Sequence, residues 1–267
     1  MPRANRHFVP GQLWHITHRC HEKSFLLRFP RDRRRYRYWL FEARRRFGLC
    51  LLNFVVTSNH VHLLVKDTTE GAITRSMQLA AGRTAQEYNE RRGRKGAYWE
   101  DRYHATAIEA GGHLHRCLVY IDLNMVRAGV VRHPSAWAHG GYVEIQHPRE
   151  RCRLIDLLEL SALCGFATVE DFQAAHREWI AQALIDHTAR REPCWSEAVA
   201  VGSRAFVETV KENLGDIARY RALEQTQDSW VLREPQSAYW ADFPAGSGRL
   251  RPKIQRKTLL SSANTIA

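Results

Sequence analysis

The stretch Ser58-Asn59-His60-Val61-His62-Leu63-Leu64-Val65 constrains this chain more than any other. It has the apolar, β-branched character of a strand, and side chains alternate faces along a strand. Val61, Leu63 and Val65 therefore turn together towards a core, while His60 and His62 share the opposite face. A chain with this segment must build a sheet with one wholly apolar side and one side able to carry chemistry. Two imidazoles about 7 Å apart on a rigid strand are spaced to share a divalent metal ion. His113 and His115 also read His-x-His and serve as an internal control. They open a helical stretch, where residues two apart sit roughly 200° round the axis and cannot chelate together.

The 267 residues are 44% hydrophobic and include eight tryptophans, enough for one large domain or a domain with an appendage. Apolar runs are short and Met1-Pro2-Arg3-Ala4-Asn5-Arg6 lacks a signal-peptide h-region, so the expectation is a cytoplasmic protein with no membrane span. Six cysteines, at positions 20, 50, 117, 152, 164 and 194, form no Cys-x-x-Cys pair. That argues against a zinc ribbon or disulfide scaffold and suits a reducing compartment. Charge is distributed unevenly. Residues 1–150 hold 25 Lys and Arg against 13 Asp and Glu, whereas residues 151–267 hold 15 of each. All the excess positive charge lies in the part that carries the histidine strand. Most of it is arginine, which favours bidentate phosphate contact, and the pattern points to nucleic acid.

Local patterns supply the element order. Leu13 to His18 reads as a first strand, Arg31 to Phe47 as a helix stopped by Gly48, and Cys50 to Val56 as a second strand. A short turn at Thr57-Ser58-Asn59 makes a hairpin with the histidine strand. A second helix runs from Ile73 to Arg91, a fourth strand from Tyr98 to Glu109, and a third helix from about His113 to Ala128. Strand, helix, strand, strand, helix, strand is the order of a ferredoxin-like fold: an α+β antiparallel sheet with helices on one face and the other face available to ligand. Beyond Trp137 the character changes. Thr168-Val169-Glu170-Asp171 has capping-box character ahead of a helix to about Leu184, and Ser203 caps another ending near Gly215. Residues 148–225 are expected to form a C-terminal helical appendage, and 226–267 a polar, loosely ordered tail.

On the third helix Leu114, Leu118, Ile121 and Met125 form an apolar stripe, while Arg116, Tyr120, Asn124 and Arg127 lie on another. A tyrosine phenol can act as a nucleophile, but its ordinary pKa near 10 calls for help. Neighbouring guanidinium groups would favour the phenolate and hold a phosphate. Asn124 offers an oxygen one turn away to complete a metal site with His60 and His62. Two nitrogens and a carbonyl oxygen, with open positions for phosphate oxygens, suit Mg²⁺ or Mn²⁺.

These residues also carry a resemblance. His60-Val61-His62 matches the HUH signature, and Tyr120-Ile121-Asp122-Leu123-Asn124-Met125-Val126-Arg127 resembles the tyrosine helix of the single-tyrosine HUH transposases. The chain is most similar to the REP-associated tyrosine transposases, through Trp99-x-x-Arg102-Tyr103-His104 and Arg132-x-Pro134-x-x-Trp137 as well, over roughly residues 8–145. The resemblance implies a catalytic domain over residues 1–147 acting on single-stranded DNA with hairpins, as monomer or homodimer. It makes Tyr120 the nucleophile, forming a 5′-phosphotyrosine and releasing a 3′-OH, and His60, His62 and Asn124 the metal ligands. Arg116, Arg127, Arg102 and Arg19 are the expected nucleic-acid contacts. One departure is Met125, where the family pattern has Pro; it bears on the helix path just past Asn124.

Two other readings stand beside this one: an HUH nuclease of the replication-initiator or relaxase type, and a catalytically idle DNA-binding regulator. The arginine run Arg31, Arg33, Arg34, Arg35, Arg37, Arg44, Arg45 and Arg46 is either a solvated face or a DNA track. His15, His18, His21 and His104 are read as structural or close to DNA, without a ligand role.

Overall fold

In the computed structural model, which describes residues 9–186 and 191–233, the expected α+β architecture forms around one mostly antiparallel sheet. Its strands are β1 (Leu13–Arg19), β2 (Cys50–Val56), β3 (His60–Lys66), β4 (His104–Ile108), β5 (Ala200–Gly202), β6 (Ala222–Gln225) and β7 (Trp230–Arg233). They lie in the order β2-β3-β1-β4-β5-β7-β6. The first four reproduce the ferredoxin-like order, with β1 antiparallel to both β3 and β4. The β2–β3 hairpin is antiparallel too, with a register shift between Leu51 and Asn53.

Alternation along the strands decides what each face carries. Opposite His60 and His62 in the register stand Arg19 and Thr17, and Thr17 faces His104 on the other side. The reverse face bears Trp14, Ile16, Val61, Leu63, Val65, Ala105 and Ala107, all buried. Two long helices cover that face, α1 (Pro30–Phe47) and α2 (Ala72–Arg92). Proline opens α1, and Gly48 ends it at φ 68°, a left-handed conformation that glycine adopts without a Cβ clash.

The histidine face is not left open. Onto it packs α3 (Gly112–Asp122), whose Leu114, Leu118 and Ile121 are fully buried. The helix does not run on to Ala128: it breaks at Leu123 and resumes as α4 (Asn124–Arg127). The break occurs without the family's proline, and Met125 is buried beyond it. The fourth strand is also shorter than its apolar pattern suggested. Residues 98–103 leave the sheet apart from a bridge between Trp99 and Cys20.

The C-terminal region contains the expected helices but is more than a helical appendage. After α5 (Gly141–Gln146) and α6 (Leu157–Leu163), α7 (Val169–Ile185) starts at Thr168, whose side chain accepts from the Asp171 amide. Beyond α8 (Cys194–Glu197), α9 (Arg204–Leu214) is capped by Ser203, as its sequence predicts. Between and after them β5, β6 and β7 extend the sheet, β5 running parallel to β4. These strands are three or four residues long, too short for an alternating pattern to show. Residues 226–233 of the expected tail thus hold a strand, and the remainder lies outside the described residues.

Candidate active site

All but one of the expected site residues converge on the histidine face. A cleft of about 810 Å³ is lined by His60, His62, Tyr120, Asn124, Arg19, Arg102 and Arg127, with His104 and residues of the C-terminal region beside them. Four separate elements deliver most of them. The hairpin strand β3 brings the imidazoles, α3 and α4 bring the phenol and the amide on one stripe, and β1 brings Arg19 opposite His60.

The imidazoles are held tightly. Their ring centroids lie 4.9 Å apart, edge to face. His60 Nδ1 sits 2.8 Å from Asn59 Oδ1 and 3.0 Å from Thr57 Oγ1. The Thr57 hydroxyl donates to the His60 carbonyl and accepts from the Asn59 and His60 amides, so the Asn59 side-chain oxygen is the acceptor for the ring Nδ1–H. His62 Nδ1 lies 2.9 Å from His15 Nε2. Each ring thus engages Nδ1 with the protein and leaves Nε2 for another partner, the arrangement that metal-binding histidines share. Burial lowers the His60 pKa to about 4, helped by Arg19 and Arg127, and pushes His62 well below its ordinary value. Both are neutral at physiological pH, as ligands must be. Among the described residues no cluster of three His, Cys, Asp or Glu side chains offers a metal site. The amide of Asn124 lines the same cleft, and two imidazole nitrogens with one carbonyl oxygen are a donor set that fits a divalent cation.

Tyr120 is 7% exposed, its ring 6.0 Å from that of His62 and 6.0 Å from that of His15. The Arg127 guanidinium lies over the ring, 4.0 Å from its centroid, and donates to the Tyr120 carbonyl at 2.7 Å. That bond reaches back across the helix break. The expectation that arginines lower the phenol's pKa meets a larger opposing effect. Burial raises it above 10, and the attraction of Arg127 and then Arg191 only partly offsets this.

Arg116 is not brought to the cleft. It turns into a neighbouring groove and pairs with Glu192 at 2.9 Å and with Ser229 Oγ at 3.0 Å. One turn before Tyr120, it meets acidic residues of the C-terminal region that lie far away in sequence. Six arginines of the run on α1 have partners within the protein, although Arg31, Arg34, Arg35, Arg45 and Arg46 are exposed. Arg33 is buried and donates to the Leu27 and Arg28 carbonyls, Arg37 donates to the Ala138 carbonyl, and Arg35 pairs with Glu87. Arg45 and Arg46 pair with Glu42, and Arg44 donates to the Arg153 carbonyl. As the internal control requires, His113 and His115 go separate ways, one to Glu109 and the other stacked on Trp179.

Sequence reasoning read His15 as structural or close to DNA but did not tie it to the histidine pair; it touches His62 and is wholly buried. Its signal was available: on β1 it alternates with Trp14 and Ile16 and so shares the face of Thr17 and Arg19. Trp195 gave no signal, because nothing local ties residue 195 to this sheet.

Residues 9–124 match the family model described as "Transposase IS200 like". No curated protein matches the chain. Among solved structures, the chain is similar to a REP-associated tyrosine transposase bound to a REP hairpin, at 20% identity and a TM-score of 0.43, over 54% of this chain and 84% of that one. It is also similar to a putative transposase from Deinococcus radiodurans, at 17% identity and a TM-score of 0.32, over 41% of this chain and 87% of that one. The matched segment runs from before β1 to Asn124 and so includes the histidine strand and the tyrosine helix.

Proposed function

We propose that the protein cleaves and rejoins single-stranded DNA beside hairpins through a 5′-phosphotyrosine intermediate. Tyr120 is the nucleophile, His60, His62 and Asn124 hold Mg²⁺ or Mn²⁺, and Arg19, Arg102 and Arg127 contact DNA phosphates. One observation carries the reading: the Tyr120 phenol, the Asn124 amide, the guanidinium groups of Arg19, Arg102, Arg127 and Arg191, and the imidazoles of His60 and His62 all line one cleft. A divalent cation bound there would draw charge from a phosphate oxygen.

The residues of the chain do the rest. Tyr120 Oη attacks phosphorus, the bond from phosphorus to the 3′ oxygen breaks, and the 5′-phosphate of the downstream strand is left on the tyrosine while the upstream strand ends in a 3′-OH. The phenol gives up its proton and the departing 3′ oxygen gains one, so the step is neutral in protons overall. Packing of α3 on the sheet holds the phenol at a constant distance from the histidines, which replaces a bimolecular encounter with a positioned one. The phosphotyrosine ester conserves the phosphoester bond energy, so a 3′-OH can reverse the step and join strands without ATP. Arg116, tied to Glu192, has no part in this reading.

Incubation of a labelled hairpin carrying a single-stranded flank with protein and Mn²⁺ tests it. The expected product is a covalent adduct at the new 5′ end created by the nick, absent from Tyr120→Phe and from His62→Ala and lost on chelation. An adduct on another residue such as Tyr103, or undiminished cleavage in excess chelator, overturns it.

A further inference from the structure

We propose that His15 is a positioning residue: itself oriented by the main-chain carbonyl of Trp195, it holds His62 in the Nδ1–H tautomer and so leaves Nε2 for the metal. The inference rests on the metal reading of the cleft given above.

The argument follows hydrogen-bond polarity along three groups. His15 Nδ1 lies 2.7 Å from the Trp195 carbonyl oxygen, 180 residues away along the chain. A carbonyl can only accept, so the proton on this ring is at Nδ1. A neutral imidazole has one N–H, which makes His15 Nε2 an acceptor. Its partner at 2.9 Å is His62 Nδ1, which must therefore donate. The second nitrogen of His62 then carries a lone pair. The two rings are stacked at 14°, with centroids 5.0 Å apart, and His15 is 0% exposed, so water cannot substitute for either bond.

The carbonyl at the head of the relay is itself fixed. Thr106 Oγ1 on β4 donates to Ala198 at 2.7 Å and lies 3.3 Å from the Trp195 oxygen. Val199 is bonded through its carbonyl to the Ala107 amide and through its amide to the Leu232 carbonyl. The segment after α8 is thus clamped into the extended sheet. The two metal-facing imidazoles are oriented by devices of different range. Asn59 and Thr57 set His60 from within its own hairpin turn, whereas His62 depends on a carbonyl from the far end of the chain. On this reading residues 195–202 complete the site, which gives the region beyond the matched segment a catalytic purpose.

Long-range ¹H–¹⁵N spectra of the metal-free protein report the histidine tautomers, and titration with Mn²⁺ followed by EPR of the free ion reports affinity. Wild-type His62 should appear only as the Nδ1–H form. His15→Gln, whose amide can donate to Trp195 and accept from His62, should keep that form and stay within about threefold in Mn²⁺ affinity. His15→Phe should give mixed His62 tautomers and bind Mn²⁺ about 10–100-fold more weakly. A proton on His62 Nε2 in the wild type overturns the proposal even if the Phe variant fails to fold. So does a folded His15→Phe with unchanged tautomer and affinity. A wild type that binds no Mn²⁺ while His62 stays in the Nδ1–H form supports the positioning role and overturns the metal reading instead.

Discussion

Tyr120, the proposed nucleophile, sits where burial raises the phenol's pKa and the guanidinium stacked on its ring counters only part of the effect. Two consequences follow at the scale of the residue. The fraction of phenolate rises tenfold per pH unit anywhere below the raised pKa, so the rate of adduct formation should climb through neutral pH and not level off before pH 10. Arg127→Lys retains a charge but loses the planar stack and the fork that reaches the Tyr120 carbonyl. It should slow adduct formation by about tenfold, equivalent to about 1.4 kcal/mol of barrier. Single-turnover rates across a pH series check both, and a wild-type plateau at pH 7 would place the titrating group elsewhere.

At the scale of elements, the break in the tyrosine helix matters most. Asp122, the last residue of α3, accepts from Asn53 of β2 at 3.1 Å and lies 2.8 Å from His176 Nε2 on α7, with no exposed side-chain surface on either member of that pair. Gln146 at the end of α5 reaches the other nitrogen of His176 at 3.0 Å. This buried network joins the base of α3 to the sheet and to the C-terminal helices. It depends on a close approach at Gly141, where a Cβ would stand 2.0 Å from Asn53 Oδ1 and 3.1 Å from the Phe54 amide nitrogen. Asn53 is held by the network and Phe54 is backbone, so neither can yield cheaply. Gly141→Ala should destabilise the protein by about 1–3 kcal/mol, read from the urea midpoint. It should also slow adduct formation, since Asn53 anchors the helix that carries Tyr120. An unchanged midpoint would show that the contact relaxes without cost.

Taken whole, the molecule buries several histidines in neutral form: His15, with its pKa lowered to about 3, and His18, His60 and His139, each at about 4, all mainly through burial. Unfolded, each ring takes up a proton below pH 6.5; folded, it takes one only near the lowered value. The unfolded chain therefore binds more protons across the window from pH 6.5 to about 3–4, and stability falls as pH drops through it. His15 alone contributes on the order of a few kcal/mol to that loss. The thermal midpoint of the metal-free protein should fall steadily from pH 6.5 to 4, and His15→Gln should make the fall shallower. A flat profile would mean that these rings are hydrated in solution.

The sequence by itself determined whatever short-range physics controls: the hairpin with His60 and His62 on one face, the Tyr120–Asn124 helical spacing, α1 between proline and Gly48, and the caps at Thr168 and Ser203. Each depends on residues within a few positions of one another, so periodicity and capping reveal it. Tertiary structure decided which charges line the cleft and which pair elsewhere, sending Arg127 to the cleft and Arg116 to Glu192 from the same helix stripe. It also decided that the chain after α8 continues the sheet, because a three-residue strand such as Ala200–Gly202 is defined by its neighbours and not by its own pattern. His15 acquires a task only through a carbonyl 180 residues away. Hydrogen-bond partners of a buried ring are a property of the packed neighbourhood, and no local rule encodes a neighbour that arrives from the other end of the chain.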